Sequence, residues 1–287
     1  HEKFILSHDG ATVQFAYNKG RQFTSRFSIG NRLLEQNPAS AATLHAPRTT
    51  APGLAIENWR NSQAPTLNGR SLRLLQYEVS RCLAIAPDDQ TILMGTVWHL
   101  RLFDRQGREL WRVPVPANVW SVTIAGNGLV ATAALADGTI RWYRMADGQE
   151  LLALFPHPDT KRWVAWTPSG YYDAAPGAET LLGWHKNYGN NAAADFFPAA
   201  QFRSVSYRPA VVNEVLETLD EQQAVLRASV NTARKPSLES EPKTAEAQTT
   251  AVLPLSVAII SPSDGTALSS TTVKIRYRVG TESGGAP

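Results

Sequence analysis

This chain of 287 residues contains little cysteine and no long apolar run, and its acidic and basic residues nearly balance. Its single cysteine, Cys82, excludes an internal disulfide framework, a cysteine-rich zinc site and a Cys-x-x-Cys redox pair. There is no run of about 18 apolar residues, so the sequence predicts no membrane span. The formal charge is only +3, from 28 basic and 25 acidic residues, which gives no argument for a nucleic-acid partner.

Aromatic residues are plentiful, with eight Trp, eight Tyr and nine Phe. They provide enough apolar surface for a buried core, which excludes disorder for the bulk of the chain. At this length we expect about two domains, or one large all-β domain with an appendage. The sequence opens on His1 without an initiator methionine and ends on Gly-Gly-Ala-Pro, so we expect a piece of a longer protein.

Residues 1–207 consist of short β-branched and aromatic runs separated by Gly, Pro, Asn and Asp, a pattern typical of strands and turns. Three runs are clearly predicted as strands, and they are Cys82–Ala86, Leu100–Asp104 and Ile140–Arg144. Asp137-Gly138 and Asp147-Gly148 predict tight turns, because Gly supplies the positive φ that such turns require.

Several of these segments repeat along the chain. The first kind of repeated segment is found at Ile5–Gly10, Leu83–Asp89, Val122–Gly128 and Val164–Gly170. The second kind is found at Leu100–Gly107 and Ile140–Gly148. Equivalent positions, such as Ile85 and Ile124, recur at a nearly constant interval. A repeat of about 40 residues made of short strands is typical of a propeller blade.

The runs Leu100–Asp104 and Asp137–Trp142 resemble the third strand of WD-repeat blades. The stretch from Arg162 to Pro198 resembles the closing blade of bacterial WD-repeat proteins, many of which carry a caspase-like peptidase domain. The resemblance covers most of residues 1–230, although the usual Gly-His and Trp-Asp dipeptides are missing. It implies that residues 1–207 form the C-terminal part of a β-propeller, an all-β fold with about four blades here.

The remaining residues predict three further segments. Residues 208–232 are predicted as one capping helix, with Pro209 at its first position. Its predicted apolar stripe consists of Val212, Val215, Leu216, Leu219, Leu226 and Val230. Residues 233–253 hold no aromatic and predict a disordered linker. Within residues 254–287, Val257–Ile260 and Val273–Val279 predict the first strands of a truncated Ig-like β-sandwich, since such a domain needs about 100 residues.

Few residues fit a catalytic or metal-binding pattern. Cys82 lies in an apolar run, which predicts a buried and inert thiol, and the catalytic motifs of caspase-like peptidases have no match in the chain. The histidines His1, His8, His45, His99, His157 and His185 include no pair three to five residues apart, so no metal site is predicted. Gly126–Gly128 is interpreted as a hairpin turn rather than a phosphate loop, and the Ser-x-x-Lys spelling at Ser240–Lys243 lies in the linker.

Two sets of side chains have more than one interpretation. The densest aromatic patch comprises Trp163, Trp166, Tyr171, Tyr172, Trp184 and Tyr188. It fits a stacking platform for a sugar or single-stranded nucleic acid, but we favour packing between blades, since Trp163 and Trp166 are predicted in the inner strand of a blade. A second set, Arg101, Arg108, Arg112, Arg141 and Arg144, is predicted at solvent-facing positions rather than in one basic stripe.

The sequence therefore predicts a non-enzymatic protein–protein interaction scaffold with a protein or peptide partner, no nucleic acid, no cofactor and no assigned catalytic, metal or binding residue. Two alternatives stay open. One is a regulatory or sensor portion of a bacterial caspase-like cysteine peptidase whose catalytic domain lies outside this chain, and the other is a small-ligand binder at the propeller channel. The lone thiol without a disulfide pattern favours the cytoplasm.

Overall fold

A computed structural model describes residues 4–16, 24–39, 41–187, 194–234, 256–261 and 276–280. The chain divides into two compact units, His1–Lys235 and Pro236–Pro287. The larger unit consists mostly of antiparallel sheets, which confirms the predicted all-β class.

Four sheets make up most of the larger unit. Sheet 1 holds β1 (Ile5–Ser7), β2 (Thr12–Phe15), β3 (Ser25–Ser28), β4 (Leu33–Gln36) and β5 (Leu44–His45), in the order β4-β3-β2-β1-β5. Sheet 2 holds β6 (Ile56–Glu57), β7 (Thr66–Leu67) and β8 (Arg70–Ser71). Sheet 3 holds β9 (Ser80–Ile85), β10 (Thr91–Thr96), β11 (His99–Asp104) and β12 (Glu109–Pro114), paired in chain order.

Sheet 4 is the largest, with six strands paired in chain order. They are β13 (Val119–Ile124), β14 (Val130–Leu135), β15 (Ile140–Arg144), β16 (Glu150–Pro156), β17 (Trp163–Trp166) and β18 (Tyr172–Ala174). Beyond it, β19 (Gly183–Lys186) pairs with β20 (Asp195–Pro198). Three helices follow: α1 (Arg203–Ser206), α2 (Pro209–Thr218) and α3 (Glu221–Arg234).

The segments that recur in the sequence form equivalent strands of sheets 3 and 4 in the structure. The predicted strand Ile140–Arg144 has these bounds in the structure. The predicted strand Leu100–Asp104 begins one residue earlier, at His99, and the predicted strand Cys82–Ala86 runs from Ser80 to Ile85. The pairing of β11 with β12 shifts register between Leu102 and Phe103, and the pairing of β15 with β16 shifts between Trp142 and Tyr143. The two irregularities fall at equivalent positions of the repeat, so sheets 3 and 4 share their distortions as well as their strand order.

An arginine–glutamate pair joins the third and fourth strands in three of the sheets. The pairs are Arg26–Glu35 in sheet 1, Arg101–Glu109 in sheet 3 and Arg141–Glu150 in sheet 4. Opposite charges on neighbouring strands stabilise their pairing. Sheet 1 therefore carries the same structural repeat, although its sequence similarity is limited to the short segment at Ile5–Gly10.

The sheets pack face to face in the order 2, 3, 4, 1. Separate apolar clusters fill the spaces between sheets 2 and 3, between sheets 3 and 4, and between sheets 4 and 1. Sheets 3 and 4 meet closely along β9 and β13, where a Cβ on Gly95 would come within 2.6 Å of both Cys82 Sγ and Val119 Cγ1. Sheet 1, the first in sequence, covers the other face of sheet 4, and Trp142 Nε1 donates to the Gly10 carbonyl at 2.8 Å.

The strand β17 does not occupy the predicted inner position of a new blade. It pairs with β16 on one side and β18 on the other, so it extends sheet 4. The reason is the short turn after β16, in which the Asp159 carboxylate accepts hydrogen bonds from the amides of Lys161 and Arg162 and folds the chain back on itself.

The predicted single helix is two helices. Leu219 adopts φ +55° and ends α2, and Asp220 begins the next turn by accepting the Gln223 amide at 2.9 Å. Because of this break, the residues of α3 that face the core are not those expected for one continuous helix. The predicted apolar stripe is therefore wrong in its second half. Leu226 and Val230 are exposed, and Ala224 and Ala228 are buried instead.

The predicted linker and Ig-like segment are described only in part. Residues 233 and 234 belong to the last turn of α3, and the rest of the predicted linker lies outside the described residues. In the smaller unit, β21 (Ser256–Ser261) and β22 (Arg276–Gly280) are antiparallel, with Val257 opposite Val279. Two paired strands are thus present where two were predicted, and the Ig-like assignment stays a prediction.

Replacing Trp142 by Ala should lower the unfolding free energy by about 3–5 kcal/mol, because the indole is fully buried between sheets 4 and 1. Replacing the exposed Trp120 by Ala is the matched control and should cost less than about 1 kcal/mol. Chemical denaturation of both variants measures the difference. Equal losses would contradict the packing of sheet 1 on sheet 4.

Candidate binding surface

Exposed aromatic side chains gather at one end of sheets 3 and 4, where β9 and β13 begin. Tyr77 is 68% exposed, Trp98 45% and Trp120 54%. Tyr77 precedes β9, and Trp98 lies in the turn between β10 and β11. In an antiparallel sheet with strands in chain order, the start of the first strand and the turn between the second and third strands share one end. The strand order therefore places Tyr77 and Trp98 at the same end of sheet 3, the end at which β9 begins.

Arg81 and Trp120 occupy equivalent positions of the repeat, in the first strands of sheets 3 and 4. Both are skipped by the strand pairing, since Ser80 and Cys82 pair with consecutive residues of β10, as Val119 and Ser121 do with consecutive residues of β14. Such a bulge redirects a side chain away from the regular ladder. The Arg81 guanidinium carbon lies 5.7 Å from the Trp120 ring centroid, a cation–π contact.

A shallow cleft of about 110 Å³ adjoins this pair, along the inner edges of β9 and β13. Its lining includes Pro47, Trp59, Arg60, Cys82 and Ser121. The Arg60 guanidinium stacks on the Trp59 ring at 4.6 Å, which is a second arginine–indole pair beside the first. The volume lies below the roughly 300 Å³ at which small-molecule pockets begin, so the cleft suits one protruding side chain rather than a cofactor.

We call this surface the aromatic rim and define it as Trp59, Arg60, Tyr77, Arg81, Trp98 and Trp120. Short contacts join its parts. Arg81 donates from Nη1 to Asn61 Oδ1 at 2.6 Å, and the Ser80 amide donates to the Ser62 carbonyl at 2.8 Å. The segment that carries Trp59 and Arg60 is thereby attached to the start of β9.

The buried carboxylate of Glu78 holds the turns that carry Tyr77 and Trp98 of the aromatic rim. Glu78 is 0% exposed and accepts hydrogen bonds from the Thr96 hydroxyl, from Arg101 and, at 3.0 Å, from the Leu75 amide. His99 Nδ1 lies 2.9 Å from the same carboxylate. A buried charge is tolerated only when paired and fully hydrogen-bonded, so Glu78 holds these groups in one arrangement.

The Glu78 network also fixes the backbone around Tyr77. The Glu78 amide donates to the Leu75 carbonyl at 3.1 Å and closes a tight turn whose third residue is Tyr77, with φ +64°. This left-handed conformation ordinarily takes Gly or Asn, and a bulky residue there is strained by about 1–2 kcal/mol. A strained aromatic whose ring faces solvent suggests a role other than folding.

The electrostatics of Glu78 follow from its donors. Desolvation by burial raises the pKa of Glu78, but the hydrogen bonds from Arg101, Thr96, Leu75 and His99 outweigh it and lower the pKa to about 2. The carboxylate is therefore ionised at neutral pH and keeps the Arg101 guanidinium in place.

Arg101 corrects one of the predictions from sequence. It was predicted to face solvent, but it is 1% exposed and bonded to Glu78 and Glu109. The equivalent Arg141 is only partly buried, because Ala117 stands at the position equivalent to Glu78 and leaves no second buried carboxylate. Arg108 is solvent-facing as predicted.

The other residues considered from sequence are dispersed. Cys82 is buried as predicted, and desolvation raises its pKa to about 12, which favours the protonated thiol at neutral pH. Gly128 has φ +73° in a turn between β13 and β14, as a hairpin requires. Within the predicted aromatic patch, Trp163 and Tyr172 are buried, so packing is confirmed for these two. His1, Tyr188 and Ser240–Lys243 lie outside the described residues.

The described part of the chain contains no group of three or more His, Cys, Asp or Glu side chains arranged to hold a metal ion. In the same residues, no helix is long and apolar enough to cross a membrane.

Sequence reasoning missed the aromatic rim. Tyr77, Trp98 and Trp120 stood in three separate turns and strands, and their proximity depends on strand pairing. One signal was present in the repeat, because Arg81 and Trp120, a cation and an indole, occupy the same repeat position.

A scan against protein-family models and a search of curated proteins both found no match to this chain.

Replacing Glu78 by Gln should lower the unfolding free energy at pH 7 by about 3–5 kcal/mol, since Arg101 loses its buried counter-charge. The folded-state pKa lies below the ordinary value of 4.5, so this stabilisation is present above pH 4.5 and is lost as the pH falls towards 2. The difference between wild type and variant should therefore shrink by about 3 kcal/mol over that interval.

Denaturation curves at several pH values measure this difference. Replacing Glu35 by Gln is the matched control, because Glu35 is exposed in the equivalent pair with Arg26, and it should cost less than about 1 kcal/mol at any pH. A pH-independent difference for the Glu78 variant would contradict the buried ionised carboxylate.

Proposed function

We propose that the protein is a non-enzymatic interaction module that binds a peptide segment of a partner protein on the aromatic rim. In this proposal, sheets 1, 3 and 4 are blades of a WD-repeat-like β-propeller. Their shared strand order, their face-to-face packing and the contact between the first strands β9 and β13 support it. The antiparallel pair β21 and β22 supports an Ig-like domain in the smaller unit.

The observation that carries the proposal is the exposure of three large aromatics on a rigid base. Trp, Tyr and Arg are the residue types that most often dominate binding energy at protein interfaces. An aromatic side chain loses little conformational entropy on binding. It loses even less where hydrogen bonds already fix the backbone of its own residue. Tyr77 and Trp98 meet both conditions, because Glu78 holds the turns that carry them.

The chemistry of the aromatic rim suits binding rather than catalysis. Its polar groups are two guanidiniums, an indole N–H at each Trp and the Tyr77 hydroxyl. The Glu78 carboxylate is buried and engaged by Arg101. Stacking and hydrogen bonding are what such groups provide, whereas general acid–base catalysis needs a group that titrates near the working pH.

Random peptides of about 12 residues, selected for binding to the whole protein, should depend on the aromatic rim. We expect Trp98→Ala and Trp120→Ala each to weaken the selected peptides by about tenfold or more, as loss of a hot-spot side chain does. Fluorescence anisotropy measures the affinities, and thermal unfolding checks that both variants remain folded.

Phe196→Ala is the matched control, since Phe196 is 59% exposed and lies on β20, outside the aromatic rim. It should leave the affinities unchanged. Selected peptides that bind the two Trp variants as well as wild type would refute the proposal, and so would a selection that enriches no peptide.

Replacing Tyr77 by Gly should weaken the same peptides without destabilising the fold. Glycine adopts φ +64° without strain, so the unfolding free energy should stay equal or rise by up to about 1 kcal/mol. A loss of stability together with unchanged peptide affinity would instead assign Tyr77 a purely structural role.

A further inference from the structure

We infer that the aromatic rim selects acidic peptide segments, in which carboxylates flank an apolar or aromatic side chain. This inference rests on the proposed function and specifies the chemistry of the partner. It starts from the two arginine–indole pairs, Arg60 on Trp59 and Arg81 on Trp120.

Both guanidiniums are available to an anion. Among the residues that the structure describes, neither Arg60 nor Arg81 has a carboxylate within 4.0 Å, whereas Arg26, Arg101, Arg141 and other arginines of the sheets do. The Arg81 Nε is buried and has no hydrogen-bond acceptor in the described part of the chain. That atom is closed to a partner, so the Arg81 groups that an anion can reach are the terminal nitrogens, of which Nη1 already donates to Asn61 Oδ1.

The local charge favours the same partner. From residue 57 to residue 81 the chain contains four arginines and two acidic residues, Glu57 and Glu78, although the whole protein is nearly balanced. Glu78 is buried and neutralised by Arg101, so it does not offset the surface arginines. A locally positive surface attracts an acidic segment and repels a basic one.

The stacking geometry adds specificity for carboxylates. An indole on one face of a guanidinium leaves its N–H edge free, and the edge of the exposed Arg60 matches the two oxygens of a carboxylate. The cleft of about 110 Å³, whose lining includes Trp59 and Arg60, offers room for one apolar side chain. An acidic segment with one apolar anchor satisfies the guanidiniums, the indoles and the cleft together.

The test uses three panels of synthetic peptides of about 12 residues that share Leu, Phe or Trp anchors and carry Glu, Gln or Lys elsewhere. We expect the Glu panel to bind the whole protein about tenfold tighter than the Gln panel at low salt, with the advantage reduced at about 300 mM salt. In Arg60→Gln/Arg81→Gln this advantage should vanish, while binding of the Gln panel should change less than about twofold.

The matched control is Arg108→Gln/Arg227→Gln, which removes the same charge from two exposed arginines outside the aromatic rim. It should retain the Glu advantage. Arg60→Gln alone serves if the double variant unfolds, because Arg60 is exposed and makes no hydrogen bond or ion pair with the described residues.

The possible results separate the two proposals. Equal binding of the Glu and Gln panels, lost in Trp120→Ala, would overturn the acidic preference and leave the binding module standing. Tighter binding of the Lys panel would also overturn it. No binding by any panel would count against both proposals. Arginine-dependent binding of an oligothymidylate without binding of the Glu panel would overturn the inference in favour of single-stranded nucleic acid.

Discussion

A fully buried carboxylate must be surrounded by donors, and Glu78 imposes this constraint on one end of sheet 3. Its donors come from the turn before β9, from the end of β10 and from β11, so three separate segments are fixed relative to one another. The strained turn at Tyr77 and the position of Trp98 both follow from this arrangement. The positions of Tyr77 and Trp98 in the aromatic rim are thus a consequence of satisfying one charge.

The comparison of repeat units shows where sheet 3 is specialised. All three arginine–glutamate pairs join a third strand to a fourth, but Arg101 alone among them has a second, fully buried partner. In sheet 4 the position equivalent to Glu78 is Ala117, and Arg141 stays partly exposed. The arginine–glutamate pair that the three sheets share stabilises the pairing of their third and fourth strands. The additional carboxylate of sheet 3, Glu78, holds the turns that carry the exposed rings of Tyr77 and Trp98.

Local features of the fold were predictable because they depend on neighbours in sequence. Ile140–Arg144 alternates and is bounded by Asp-Gly turns, so its strand bounds were predicted correctly. The helix break at Leu219 was missed, although Asp220 followed by Gln223 is a local capping signal. The β17 prediction failed for a different reason, since a short turn after β16 favoured hairpin pairing over the start of a new sheet.

Residues near one another in the chain were enough to establish an all-β protein with a regular internal repeat and a buried Cys82. The aromatic rim depends on contacts between residues that are far apart in the chain. Arg81 contacts Trp120 because β9 packs beside β13, and Arg101 is buried because it pairs with Glu78, 23 residues earlier. Sheet 1 covers sheet 4 through Trp142 and Gly10, 132 residues apart. Pairing and burial over such separations depend on how whole sheets pack, and periodicity within a single segment carries no information about that packing.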